Sequence, residues 1–219
     1  MLSPLRELLR NLKVVLASSS PQRRKLLEQI ELSFDICASP YDEEAIDKTS
    51  FKNPKDYVKL LAHGKALEVA NQHKESTEKV LIIGADTVII FENKIIGKPH
   101  TAQVAVETLN KLSGKSHTVC TGVSVILVEN GDFSETVFHE TTQVEFGKLS
   151  KEMVQSYVDT GEPLNKAGAY GIQGRGAMFV QRIEGCYNNV VGLPVYKLCS
   201  ELTKFLDNKT KEYNTHCDH

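Results

Sequence analysis

The sequence has no apolar run near the ~20 residues that span a bilayer, no surplus of positive charge, no closely paired cysteines and none of the common nucleotide-binding signatures. Each absence removes a class of function. Without a long apolar run no membrane partner is expected, and Met1 to Arg10 lacks the apolar core of a secretory signal, so the expected location is the cytoplasm. A net charge of −2 provides no basic field to hold DNA or RNA, so nucleic acid is not expected as a partner and any anion site must be local. The five cysteines, Cys37, Cys120, Cys186, Cys199 and Cys217, are odd in number and widely spaced, which argues against a disulfide framework or a zinc site. They read as reduced, mostly buried thiols. His63, His73, His100 and His139 show no metal-ligand spacing. No Gly-x-x-x-x-Gly-Lys-Ser/Thr stretch exists, and Gly171-Ile172-Gln173-Gly174-Arg175-Gly176 is not the Gly-x-Gly-x-x-Gly of dinucleotide binders, so a kinase, GTPase or dehydrogenase is set aside.

What is present suffices for one ordinary core, since 219 residues at 41% hydrophobic content need no disulfide or metal staple. Residues 13–207 read as a single α/β domain, with an N-terminal lead over 1–12 and a polar tail over 208–219 that looks frayed. Lys13 to Ala17 is a short β-rich run. Ser20-Pro21 then starts a helix as N-cap and first helical residue, running to Ile30 with Arg23 and Arg24 in its first turns, where cations oppose the helix dipole. Phe34 to Pro40 reads as a second strand, followed by the acidic loop Tyr41-Asp42-Glu43-Glu44. Helical spacing over Pro54 to Gln72 predicts a long helix carrying Lys65. Val80 to Phe91 is a near-continuous β-branched run, as in a buried central strand, interrupted by Gly84-Ala85-Asp86-Thr87. A carboxylate there is costly unless Asp86 is solvated in a cleft, paired, or bound to a metal. A turn at Glu92-Asn93 would bring Lys98 back toward Asp86. Further expected elements are a helix over Thr101 to Leu112, strands over His117 to Val128, Val137 to Phe146 and Ala177 to Ile183, a helix over Ser150 to Asp159, and a last helix from Pro194 to about Leu206. Alternating strands and helices give a mixed α/β sheet with helical cover.

The densest signal is Gly161 to Gly176, where five glycines stand in sixteen residues together with Lys166 and Arg175. Such a segment is rich in backbone N–H donors and suits phosphate, although a solvated glycine loop reads the same way in isolation. If the Ser20 helix start with Arg23, the Asp86 strand and this loop converge, a polyphosphate would meet cations and N–H donors. Glu43 and Asp86 would then bind a divalent metal or activate water. His117 reads as a structural histidine, and Tyr170, Phe179 and Tyr187 as core or rim aromatics.

From Val14 to about Leu206 the chain resembles the Maf family of nucleotide pyrophosphatases. The blocks that carry the likeness are Leu16-Ala17-Ser18-Ser19-Ser20-Pro21, Gly84-Ala85-Asp86-Thr87, Gly97-Lys98-Pro99, Ser113-Gly114-Lys115-Ser116-His117, Lys166 to Gly174 and Val191-Gly192-Leu193-Pro194. The resemblance implies a long twisted mixed sheet in two lobes around a deep cleft, a homodimer, and hydrolysis of a nucleoside triphosphate to monophosphate and pyrophosphate with Mg²⁺ or Mn²⁺. It implies Asp86 as general base or metal ligand, Ser18 and Arg23 on phosphate, Glu43 on the metal, and Lys65 and Lys98 neutralising the triphosphate. Thr87 and Gln173 match positions linked to pyrimidine choice, which favours dTTP and UTP. Gln22 replaces the first arginine of the family's Ser-Pro-Arg-Arg, at a third position linked to base choice, and Asn165 stands where aspartate is usual. Those two departures also define the alternative of a catalytically weakened relative, acting as a nucleotide sensor or interaction module.

Overall fold

The computed structural model describes residues 3–43 and 45–216, so Glu44 of the acidic loop and Cys217 lie outside the described residues. Helix α1 (Ser3–Leu9) precedes β1 (Lys13–Leu16), α2 (Pro21–Gln29), β2 (Asp35–Ile36), α3 (Pro54–Gln72), β3 (Val80–Phe91), β4 (Lys94–Ile96) and α4 (Ala102–Leu112). Then follow β5 (Ser116–Glu129), β6 (Asp132–Phe146), α5 (Lys151–Val158), β7 (Val180–Glu184), α6 (Tyr187–Val191) and α7 (Val195–His216). Short 3₁₀ turns over 162–165, 167–169 and 175–179 shape the glycine-rich segment between α5 and β7.

The strands form one mixed sheet in the order β2-β1-β3-β5-β6-β7, with β4 paired to β3 as a hairpin. β1 is parallel to β2 and β3, while β3, β5, β6 and β7 pair antiparallel. Apolar residues on both faces explain the central place of β3: Leu81 and Ile83 pack with α1, α2 and α7 on one side, and Ile82 packs with α3 on the other. A third cluster under α4 and α5 holds Ile89, Leu109, Val154 and Phe179. Among the described residues no helix is long and apolar enough to cross a membrane.

Local chemistry accounts for the helix starts. Ser20 Oγ accepts the Arg23 N–H, Asn53 the Lys55 N–H, Thr101 the Val104 N–H and Ser150 the Met153 N–H, each satisfying an orphan donor of a first turn. Four expectations need correction. The strand expected over Phe34 to Pro40 shrinks to Asp35–Ile36, because only β1 pairs with it and the chain then leaves the sheet edge. Residues 177–179 are 3₁₀ rather than strand, since pairing of β7 to β6 begins at Val180. The strand expected over Val137 to Phe146 starts five residues earlier, at Asp132, because a tight turn at Asn130-Gly131 pairs it with the end of β5. The tail expected to fray continues α7 through His216, with Leu198, Leu202 and Leu206 inward at four-residue spacing before the polar end.

α3 lies directly on the sheet because two glycines let it. A Cβ on Gly84 would strike the carbonyl of Ala62, and one on Gly122 the backbone of Val58. Gly122 pairs across from Asp86 in β3, so the helix is drawn down over the strand segment that bears the carboxylate.

Candidate active site

A cavity of about 830 Å³ opens between the α2–β3 side of the sheet and the glycine-rich segment. Ser18, Gln22, Arg23, Glu43, Lys65, Asp86, Thr87, Lys98, Lys166 and Gln173 all line it. Residues singled out from separate parts of the sequence thus share one cleft.

Successive residues of a strand face opposite ways, and here that splits the cleft floor into two networks. Asp86 points toward α3, where Lys65 Nζ donates to its Oδ1 at 2.7 Å and also to Glu43. Lys98 Nζ, arriving after the β3–β4 hairpin, donates to the other oxygen of Glu43 at 3.2 Å. Lys98 therefore meets Asp86 only through Glu43 and Lys65. Burial works to raise the Glu43 carboxyl, but the hydrogen bonds and charges of Lys65 and Lys98 outweigh it and hold the group below the usual carboxylate range. Asp86 is buried apart from its face to the cavity, and its Oδ2 makes no hydrogen bond to the described residues. An oxygen in that position is open to a water or a cation.

Thr87 points the other way, to α2. The Arg23 guanidinium donates from Nε to the Gly192 carbonyl at 2.9 Å, and from its two terminal nitrogens to Ser18 Oγ and Thr87 Oγ1, both at 3.1 Å. Thr121 Oγ1 donates to the Asn189 carbonyl at 3.2 Å, so at 3.0 Å it is left to accept from Thr87. The chain Arg23 to Thr87 to Thr121 uses both hydrogen-bonding roles of the Thr87 hydroxyl inside the protein. Burial pulls the Arg23 guanidinium below its ordinary pKa, opposed by the charges of Asp86 and Glu43. No carboxylate forms an ion pair with Arg23 among the described residues, so its charge faces a cleft already lined by Lys65, Lys98 and Lys166. An anionic guest answers that imbalance.

Gln22 lies at the mouth, where its Oε1 accepts from Ser20 Oγ at 3.4 Å. Arg24 does not take over the missing arginine, because it turns to solvent and pairs with Glu28 at 2.7 Å. The side chains of Lys166 and Gln173 line the cavity without a hydrogen bond or ion pair to the described residues.

The glycine segment departs from the phosphate cradle that its composition suggests. Its amides are largely taken: Arg175 N–H donates to Glu162 Oε2 at 3.1 Å, Gly176 N–H to Glu162 Oε1 at 3.4 Å, Gly171 N–H to Tyr157 Oη at 3.2 Å and Gly174 N–H to the Gly171 carbonyl at 3.1 Å. An internal carboxylate occupies the place that sequence reading gave to phosphate. Glu162, Tyr157 and Thr121 were not foreseen as site residues. Glu162 carried a signal, being a carboxylate between Gly161 and Pro163 beside a run of N–H donors. Thr121 carried none, because only the β3–β5 register brings it beside Thr87.

His117 is buried and bonds Tyr170 through Nε2 at 2.9 Å, as a structural histidine would. Tyr170 and Phe179 are core residues, whereas Tyr187 is exposed. Cys37, Cys120, Cys186 and Cys199 are free thiols.

Among the described residues no three His, Cys, Asp or Glu side chains converge as a metal cage. Of the three carboxylates that line the cleft, Glu162 is taken up by the glycine-rich segment, while Glu43 and Asp86 stand together on Lys65, a donor set that suits a hard divalent cation taking its other oxygens from water and phosphate.

The profile of the Maf-like protein family matches residues 13–205. A dTTP/UTP pyrophosphatase of Geobacillus sp. (strain WCH70) is 48% identical over 192 residues, covering 88% of this chain and 97% of the relative. One of the same name from Agathobacter rectalis is 43% identical over 202 residues, covering 88% and 97%. Among solved structures, a HAM1 protein from Coxiella burnetii shows a looser likeness, with TM-score 0.39, 14% identity and coverage of 88% of this chain and 99% of that one.

Proposed function

Since the chain belongs to the Maf-like protein family, we propose that its cleft hydrolyses nucleoside triphosphates, dTTP and UTP foremost, to the monophosphate and pyrophosphate. The observation that carries this reading is the row Asp86, Lys65, Glu43 and Lys98, in which a carboxylate with an open oxygen stands among cations beside a cavity of nucleotide size. Asp86 takes a proton from a water in line with the α-phosphorus. The water oxygen bonds to phosphorus as the bond to the β-phosphate's bridging oxygen breaks, and pyrophosphate leaves. Lys65 holds Asp86 in orientation through its 2.7 Å bond, while Lys98 and Lys166 meet the charge that grows on the leaving group. Ser18 and Arg23 hold the phosphates from the α2 side. Glu43 would hold a divalent cation, Mg²⁺ or Mn²⁺, which when bound neutralises phosphate charge; Asp86 would join it as a ligand in the alternative in which its free oxygen takes the cation rather than the proton.

Quantifying pyrophosphate and orthophosphate over a nucleotide panel, with and without a chelator, tests the reading. Pyrophosphate as first product from dTTP and UTP, lost on chelation, is expected. Orthophosphate as first product refutes α–β cleavage. Binding without turnover identifies a nucleotide sensor instead, and neither binding nor turnover leaves an interaction module.

A further inference from the structure

Glu162 sits at the base of the glycine-rich segment with both oxygens engaged. Oε1 accepts from Tyr157 Oη at 2.9 Å and from the Gly176 N–H at 3.4 Å, while Oε2 accepts from the Arg175 N–H at 3.1 Å. Tyr157 Oη in turn accepts the Gly171 N–H. The tyrosine ring is buried edge-on against Phe179 at 4.8 Å, which fixes the hydroxyl. Burial and the neighbouring Glu162 charge both push the phenol pKa upward, so it remains a donor. The glycines make this arrangement possible: a Cβ on Gly174 would overlap the Glu162 carboxylate, and one on Gly176 would come within 2.9 Å of Tyr157 Oη. Between the two tied amides of Gly171 and Gly174 stands Gln173, whose side chain lines the cleft without a partner among the described residues. A flexible turn would let that amide point anywhere. A turn wrapped on a fixed anion does not.

We propose that Glu162 is a positioning residue for substrate selection: an internal anion that, with Tyr157, fixes the 171–176 turn and so aims Gln173 at the nucleobase. The proposal rests on the reading of the cleft as a pyrimidine nucleoside triphosphate site. Of the groups that meet the phosphates, Ser18, Arg23 and Lys98 come from other elements, and Lys166 precedes the turn and is tied by its own N–H to the Pro163 carbonyl at 3.0 Å, so the clip acts on base recognition rather than on phosphate binding.

The test compares wild-type protein with Glu162→Gln, which sets an NH₂ against one of the loop donors, and with Tyr157→Phe, which keeps the ring and removes the hydroxyl. Three readouts are taken: amide hydrogen exchange over residues 171–176, specificity constants and calorimetric Kd for dTTP and dATP, and the inhibition constant of inorganic tripolyphosphate. Losing a charged hydrogen bond corresponds to roughly ten- to a hundredfold. Both variants should therefore exchange faster in the turn and lose about tenfold or more in dTTP specificity constant, chiefly through KM. The preference over dATP should fall with it, while tripolyphosphate inhibition shifts by less than about threefold. Unchanged exchange, or faster exchange with an unchanged dTTP to dATP ratio, overturns the proposal, as does an equal loss of tripolyphosphate binding. If Glu162→Gln fails to fold, Tyr157→Phe alone decides by the same criteria. Should wild-type protein release no pyrophosphate, the reading of the cleft fails at that step. The exchange rates and the dTTP and dATP affinities then still decide whether Glu162 sets the turn.

Discussion

Acid should unfold this protein in a window set by His117. The residue is 2% exposed in β5, with its ring edge-on to Phe146 at 4.9 Å and to Tyr170 at 5.5 Å, and its Nδ1 has no hydrogen-bond partner among the described residues. Burial lowers its pKa from 6.5 to about 4. The folded protein thus resists the proton that the unfolded chain takes up near 6.5, so the neutral ring's stability is complete above that pH and is lost as pH falls toward 4. The gap corresponds to roughly 3 kcal/mol in all, of which about 2 kcal/mol is gone by pH 5. Urea unfolding at pH 7.5 and 5.0, for wild-type protein and His117→Phe, isolates this contribution. The variant keeps an aromatic ring but leaves the Tyr170 hydroxyl unpartnered, at a pH-independent cost of about 1–3 kcal/mol. His139, also lowered by burial, titrates alike in both proteins and cancels. Glu43, held low, loses its contribution only below the ordinary carboxylate range, outside the window. Wild-type protein should therefore lose about 2 kcal/mol more than the variant between the two pH values. Parallel losses within about 0.5 kcal/mol would show that His117 is not held neutral by the fold.

Asp86→Asn should cut turnover by the ~10²–10⁴ typical of a lost general base while triphosphate binding survives or tightens, and near-wild-type turnover at saturating metal would refute the role. Arg23→Lys keeps the charge but presents one ammonium where a fork reaches Gly192, Ser18 and Thr87, so two charged hydrogen bonds at about 1.5–3 kcal/mol each are at stake. A kcat/KM within about threefold of wild type would contradict that geometry. Gln22→Arg restores a five-donor group at the mouth that Arg24 does not supply, and should sharpen preference for dTTP and UTP over CTP and purine triphosphates by roughly tenfold or more; an unaltered ranking would show that position 22 does not read the base.

The sequence by itself determined the elements whose cause is local. Ser20-Pro21, Asn53-Pro54 and Thr101 start their helices because each cap satisfies its own first turn, and the β-branched run over Val80–Phe91 is a strand because both its faces are apolar. It also marked Asp86 as needing a partner, since a carboxylate in such a strand is costly alone. The likeness to a known family added the names of most residues that line the cleft. Which groups meet was left to the tertiary structure. Lys65 reaches Asp86 because Gly84 and Gly122 let α3 press onto the sheet, a contact between segments that no local pattern links. Arg23 is held by Ser18, Thr87 and Gly192, the last of them 169 residues from it in sequence, because the sheet order sets α2 beside the turn before α7. The glycine segment shows the limit most plainly. Composition gave its donors, but a donor's acceptor is decided by whatever fold geometry brings within 3.5 Å, and here that is the carboxylate of Glu162.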